Sequence, residues 1–342
     1  MPGFHRVLAR SGWLAAPLLI AAAMAPAGPA TPEPPSDTAV TAADTSRLVA
    51  IAEAAGRARE VTVHSAAMGA DLRLTVLPAH DPSAPAPVLY LLNGAAGGSA
   101  GSTWTDQTDV AEFLADQQVT VVIPTGGAGS YFTDWHADDP ELGRQRWATF
   151  LTRELPPIMN ATFHGTGANA IAGISMAATS VLQLAVTAPG LYRAVGSYSG
   201  CVRTSDPSGQ AMVTAVVSRW GGNPVNMWGP FTDPTWAAND AYLHADKLRG
   251  LALYVSTGTG MPGSLDGLDD TGGDTGKLAG QLTNGAILEA VIDRCTHQLR
   301  DRLRELDIPA TFDFRRTGTH SWGYWQQDLH NSWPLIRDAL AR

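Results

Sequence analysis

Apolar positions along this chain come in two rhythms. Residues 87–92, 119–123, 168–174, 193–199 and 251–256 form short apolar runs of strand length, and 87–92 is continuous, as in a central strand covered on both faces. Ahead of them, 59–66 and 70–78 are short β-rich runs separated by Met68-Gly69, which predicts a hairpin. Helical spacing marks 109–117, then 145–159 with a break near Pro156-Pro157, and a run beginning at Met176. It returns at 285–306, where Leu288, Val291, Ile292, Cys295, Leu299, Leu303 and Leu306 share one stripe, and at 324–340. A last strand is expected over 310–315. Between 205 and 243 the pattern loosens into Pro, Gly, Trp and Asn, which reads as a small inserted region. Strand and helix otherwise alternate, predicting an α/β fold with a mostly parallel central sheet flanked by helices.

The amino-terminal pattern is different in kind. His5, Arg6 and Arg10 precede an apolar run at 13–25, followed by Ala25-Pro26-Ala27 and Gly28-Pro29-Ala30. That is the layout of a secretory signal peptide over 1–30, too short to span a bilayer comfortably. No other stretch is long and apolar enough for a transmembrane anchor, so the mature protein is expected outside the cytoplasmic membrane, secreted or in the cell envelope. Residues 31–57 read as a flexible linker and N-terminal segment, rich in Pro, Thr, Ala and Asp up to Ser46, and 58–342 as the folded domain. A hydrophobic fraction of 44% supplies ample core for such a domain. The net charge of −9, with no basic block, argues against a nucleic-acid partner. Two cysteines, Cys201 and Cys295, allow one intramolecular pairing, and an oxidising compartment favours it.

Chemistry enters at 168–184. The strand run stops at Ser175 and a helix begins at once, with Gly173 and Ala177 on either side. A serine on a strand-to-helix turn is the nucleophile elbow of an α/β-hydrolase, although the usual final glycine is Ala177 here. In such a fold the order is Ser, acid, His, with the histidine on the loop after the last strand. His320 alone among nine histidines holds that position. The acid stays open on spacing. Asp266, Asp269, Asp270 and Asp274 crowd the loop at 258–276 where an acid is common, whereas Glu289 falls off the main apolar stripe of its helix. Neither metal nor cofactor is called for. The tryptophans of the loops and the inserted region, Trp104, Trp135, Trp228 and Trp236, are read as packing residues, and Trp322 beside His320 as a substrate neighbour.

Several stretches, in order across roughly 58–340, together resemble the antigen 85-type mycolyltransferases. They include Tyr90-Leu91-Leu92-Asn93-Gly94, Ser130-Tyr131-Phe132-Thr133-Asp134-Trp135, Gly173-Ile174-Ser175-Met176-Ala177-Ala178, Ser199-Gly200, Met227-Trp228-Gly229-Pro230 and Gly318-Thr319-His320-Ser321-Trp322. The Ser-Met-Ala elbow is the family's own, and the cysteine pair looks like its corynebacterial and nocardial branch. The resemblance implies a secreted α/β-hydrolase with Ser175 as nucleophile, His320 as base and Glu289, in Ile287-Leu288-Glu289, as acid. It implies an oxyanion hole from the N–H groups of Ala95 and Met176. Substrate contacts are expected at Asn93, Ala96, Ser321, Trp322 and Arg294. The implied substrates are trehalose mycolates, with arabinogalactan as a further acceptor. Two departures stand out: Ala95-Ala96 replaces a Leu-Arg pair, and Arg294 lies one place beyond the family's arginine. A secreted carboxylesterase of the same fold, or a non-catalytic wall-binding relative, are the competing expectations.

Overall fold

The computed structural model describes residues 45–342, so the expected signal peptide and all but the end of the expected linker lie outside the described residues. A nine-stranded sheet runs through the domain: β1 (Arg47–Glu53), β2 (Arg59–Ser65), β3 (Ala70–Leu77), β4 (Ala86–Leu92), β5 (Thr120–Thr125), β6 (Gly165–Ile174), β7 (Tyr192–Tyr198), β8 (Ala252–Thr257) and β9 (Thr311–Phe314). Their spatial order is β1-β2-β3-β5-β4-β6-β7-β8-β9. The pairs β1–β2, β2–β3 and β3–β5 are antiparallel, and every pair from β5 onward to β9 is parallel. The expected hairpin at Met68-Gly69 is the β2–β3 turn, with Gly69 at φ 63°.

The period-two alternation shows in which core each side chain joins. Val88, Tyr90 and Leu92 of β4 face one layer, and Leu89 and Leu91 face the other. The first layer holds α1 (Leu155–Thr162), α2 (Met176–Thr187), α3 (Pro207–Arg219) and α4 (Ala286–Glu305). The second holds α5 (Trp322–Leu340), whose Trp325, Leu329, Trp333 and Ile336 pack with Trp104. All residues of α2 from Met176 to Val186 are buried, which is why its sequence is apolar on every side rather than striped. The inserted region between β7 and β8 is built from α3 and short turns at Pro224–Trp228 and Pro234–Ala238, each with proline at its start. Trp104, Trp135, Trp228 and Trp236 are core residues.

Three local expectations need correction, and one segment without an expectation is a strand: Arg47–Glu53, in the expected N-terminal segment, is an edge strand with every one of its residues exposed. Its side chains join no core, although Leu48, Val49, Ala50, Ile51 and Ala52 form an apolar run, and it is held by its ladder to β2. The helix expected over 109–117 is only a single turn, Val110–Phe113, which ends at Leu114; a separate turn, Trp104–Gln107, precedes it across the extended Thr108. Pro156-Pro157 does not break the preceding helix: a widened turn at Phe150–Glu154 leads into α1, where the prolines occupy the first turn and need no backbone donor. Finally, the buried face of α4 is Glu289, Ile292, Thr296, Leu299 and Leu303, and Val291 of the expected stripe is exposed.

Cys201 and Cys295 are bonded across a sequence separation of 94, joining the chain just past β7 to α4. Reduction, or Cys201→Ser with Cys295→Ser, is expected to lower unfolding stability by about 4–5 kcal/mol for a loop of this length in the chain-entropy picture. Urea unfolding with and without reductant measures it. Equal midpoints would show that the bond adds nothing to the folded state.

Candidate active site

Strand β6 becomes helix α2 across the single residue Ser175, whose φ of 55° and ψ of −123° are a conformation that non-glycine residues rarely adopt. Small neighbours make the turn possible. A methyl group at Gly173 would lie 2.9 Å from Ala177 Cβ, and one at Gly200 would lie 2.5 Å from Ala178 Cβ. The alanine that departs from the usual elbow therefore sits over a glycine that makes room for it.

His320 follows β9 on a loop and brings Nε2 to 2.8 Å from Ser175 Oγ. Its Nδ1 lies 2.7 Å from Glu289 Oε2. Glu289, and none of the loop aspartates, is the carboxylate on the ring. It is fully buried at the start of α4. Its other oxygen, Oε1, accepts from Ser199 Oγ at 2.7 Å, Thr257 Oγ1 at 3.1 Å and Gly258 N at 2.7 Å. Burial alone would raise this carboxyl, but the hydrogen bond and charge of His320, with the Gly258 and Ser199 donors, outweigh it and hold it below the ordinary range. The result is a Ser–His–Glu chain with every link at hydrogen-bond distance.

Asp266 does other work. Its Oδ1 accepts from Thr319 Oγ1 and from Gln281 Nε2, and its Oδ2 accepts from Gly263 N and Tyr324 OH. Thr319 immediately precedes His320, so this aspartate anchors the histidine loop. Backbone bonds from Gly260 N to Gly318 O (2.9 Å) and from Gly318 N to Met261 O (2.7 Å) tie the same two loops together. Trp325 stands edge-on to the His320 ring at 4.9 Å and donates its Nε1–H to Ser199 Oγ at 3.1 Å.

Facing Ser175 is the glycine-rich loop after β4. A methyl group at Gly94 would lie 3.4 Å from Ser175 Cβ, so this loop passes directly over the elbow. The Ala95 and Met176 N–H groups have no intramolecular partner among the described residues. The aromatic loop after β5 fixes them from behind: Gly129 N donates to Ala95 O at 3.0 Å and Gly126 N to Gly97 O at 2.7 Å. Tyr131 N contacts Met176 Sδ at 3.4 Å, and Tyr131 and Phe132 both have positive φ.

A cavity of about 460 Å³ opens beside His320, lined by Gln107, Leu265, Leu288, Ser321 and Trp322 among others. Ser321 Oγ is buried there without a hydrogen-bond partner among the described residues, and Trp322 is half-buried against Trp104 and Trp325. Ala96 lies at the half-buried rim of the glycine-rich loop. Two expected substrate contacts need correction. Asn93 is fully buried, its amide donating to Pro124 O and its carbonyl accepting from Trp104 N, so it braces the loop from inside. Arg294 is exposed and lines a separate groove with Arg203, Ile287 and Val291, because five residues beyond Glu289 is about 140° around the helix. Asp266, a candidate acid by spacing, anchors the histidine loop instead, while the sequence does not single out Ser199, Thr257, Gly258 or Trp325 as site residues. Only Ser199 carried a signal, in the Ser199-Gly200 pair.

The family model described as putative esterase matches residues 65–335. A diacylglycerol acyltransferase/mycolyltransferase Ag85A of Mycobacterium leprae is 31% identical over 290 residues, covering 82% of either chain. Its Mycobacterium tuberculosis counterpart is 32% identical, over 82% of this chain and 80% of its own. Among solved structures, Mycobacterium tuberculosis MPT51 superposes with a TM-score of 0.70 at 25% identity, over 84% of this chain and 100% of its own. An S-formylglutathione hydrolase from Agrobacterium tumefaciens (TM-score 0.57, 16% identity, 85% of this chain and 99% of its own) shares the fold.

Asp266→Asn is expected to destabilise the protein at neutral pH by about 1–3 kcal/mol, since charged acceptors are lost from buried donors. Burial would raise the Asp266 carboxyl, but its four donors win and hold it below the ordinary value. A depressed folded-state value gives stability that is complete above the unfolded value, about 3.9, and lost as pH falls through the folded one. Denaturant unfolding of wild type and variant should therefore converge on acidification. A gap that stays constant would mean the charge itself contributes nothing.

Proposed function

The chain belongs to the esterase family that includes the antigen 85 mycolyltransferases, and on that premise we propose that it moves a mycolyl group from trehalose monomycolate to a sugar hydroxyl through an acyl-Ser175 intermediate. The observation that carries this reading is the continuous Ser175–His320–Glu289 chain, capped by the Ala95 and Met176 N–H groups, which have no partner among the described residues.

A serine hydroxyl is a weak nucleophile at neutral pH, so His320 Nε2 takes its proton as Oγ attacks the ester carbonyl. Glu289 fixes the ring with Nδ1–H toward itself and stabilises the imidazolium that forms. The negative charge on the carbonyl oxygen falls to the Ala95 and Met176 N–H groups, which need no reorganisation to receive it. The C–O bond to trehalose then breaks, and His320 returns the proton to the departing trehalose oxygen. In the second half a sugar hydroxyl, on trehalose monomycolate or arabinogalactan, gives its proton to His320 and attacks the acyl carbon. Ser175 leaves with that proton. No cofactor or metal enters the scheme. The disulfide, which is formed in oxidising compartments, supports export.

One observation favours a second reading, a secreted carboxylesterase. Ala95 and Ala96 present only methyl groups where the family's better-known members carry a leucine and an arginine, so the acceptor side offers fewer sugar contacts and water can compete.

Incubation of the mature protein with purified trehalose monomycolate, followed by product analysis, tests both. Trehalose dimycolate with free trehalose is the expected result. Free mycolic acid without dimycolate would replace the transferase by the esterase, and absence of both products and of an acyl-Ser175 adduct would overturn acyl transfer altogether. Ser175→Ala is expected to lose at least about 10³-fold in turnover with its thermal melt unchanged.

A further inference from the structure

Behind Glu289 lies a second buried charge pair that the hydrogen-bonded chain does not require. Arg315, just past β9, donates its backbone N–H to Thr257 O at 3.0 Å. Its side chain is 13% exposed and passes over the Tyr324 ring at 5.3 Å. Nη1 bonds Asp328 Oδ1 on α5, and Nη2 stands 3.7 Å from Glu289 Oε1. Asp328 is fully buried.

An ion pair kept only to tie β9 to α5 is best served by two parallel N–H···O bonds. This one makes a single bond. Among the described residues Arg315 Nε and Nη2 and Asp328 Oδ2 make no well-formed hydrogen bond, which is costly for buried charged groups, although the Ser256 hydroxyl of β8 faces Asp328 and favours its charged form. On the other side, Glu289 Oε1 already accepts three hydrogen bonds. Arg315 therefore acts on Glu289 through charge rather than as a further donor.

Resting on the reading of Ser175, His320 and Glu289 as an acyl-transfer relay, we propose that Arg315 and Asp328 are a positioning pair, a balanced counter-charge that sets how strongly Glu289 holds a proton on His320. Arg315 alone would offset most of the Glu289 charge and weaken its hold on the imidazolium. Asp328 draws the guanidinium's charge away and restores that hold. Burial pushes the Asp328 carboxyl up to about 7 against the pull of Arg315, so its charge depends on the arginine beside it.

Other groups face the pair from every packed element. Asp313 of β9 and Glu289 of α4 both oppose ionisation of Asp328. Tyr254 of β8 donates to Asp313 at 3.0 Å, Tyr198 of β7 pairs with Ser332, and Tyr324 of α5 reaches Asp266. Burial raises all three phenols, which stay neutral throughout the working range.

The test is the pH dependence of kcat/KM for p-nitrophenyl butyrate, whose acid limb reports the free enzyme's base, in the full mature protein. Asp328→Asn leaves Arg315 unbalanced and should move the acid limb to lower pH by up to roughly half a unit, since Asp328 itself carries only part of its charge below about pH 7. Arg315→Met should move it the other way, because the orphaned Asp328 protonates and the field of Glu289 is no longer opposed. Arg315→Lys should stay with wild type. In the Arg315→Met background, Asp328→Asn should move the limb no further. Folded variants with unmoved limbs, or equal Asp328→Asn shifts with and without Arg315, overturn the proposal and leave a purely structural pair. If Arg315→Met does not fold, Asp328→Asn against Arg315→Lys decides alone. Failure of wild-type Ser175 to react with a fluorophosphonate would instead overturn the relay reading, so the two failures are told apart.

Discussion

Glu289 carries a negative charge with no exposure to water, and a carboxylate in that position costs several kcal/mol unless its lone pairs are filled. They are filled by groups that no single element supplies: Ser199 from the end of β7, Thr257 and Gly258 from the end of β8, and His320 from the loop after β9. Three adjacent parallel strands must therefore end at the same level, with α4 laid across their ends. The sheet register provides this, since Ser197 pairs with Val255 and Ser256 with Asp313 in neighbouring ladders. The parallel topology thus sets the orientation of the imidazole, and through it the distance to Ser175.

On the opposite side of Ser175 the constraint is steric. The elbow's backbone strain persists only because its surroundings determine it from several directions. Gly173 and Gly200 admit the alanines of α2, and Gly97 (φ 60°) meets the carbonyl of Gly126 so closely that a methyl group there would lie 2.4 Å from it. The two loops that cross at that contact hold the Ala95 and Met176 N–H groups in place before any substrate arrives. In the proposed reaction these groups would act as a preorganised oxyanion site, whose dipoles need no reorganisation at the moment of reaction.

Features with a strong local signature were legible in the sequence. The central strands read as apolar runs, Ser175 as a break between strand and helix, and His320 as the histidine after the last strand. What local pattern missed was set by tertiary packing. Glu289 looked solvated because apolar residues marked the wrong stripe of α4: exposed Val291 was counted and the buried glutamate was not. Asp266, the reasonable choice by spacing, lies one hydrogen bond from the histidine loop but serves as its anchor. Strand β1 is an apolar run, Leu48 to Ala52, without the alternation of a half-buried strand, and it buries none of its side chains, so its pattern does not mark it as part of the sheet. Asn93 and Arg294 were taken as substrate contacts from family position, and burial removes the first while helix phase removes the second. Family resemblance placed Glu289 where periodicity did not, because a motif carries the memory of a tertiary contact and a period does not.

The disulfide closes the same joint by covalent means. Ser199, which binds Glu289, lies two residues before Cys201; Cys295 lies six residues after Glu289 on α4. Both the polar clasp and the covalent one therefore join the end of β7 to the first turns of α4. If these elements parted, water would reach the carboxylate, its hydrogen bonds to Ser199 and Gly258 would exchange with solvent, and the field it exerts on His320 would weaken. A cross-link located here limits that opening locally as well as stabilising the chain against global unfolding. Arg315 and Asp328 lie at the far end of the same arrangement, linking β9 and α5 to Glu289 through charge. The carboxylate is thus held from β7, β8, the histidine loop and β9 at once, and its field on His320 depends on all four keeping their places.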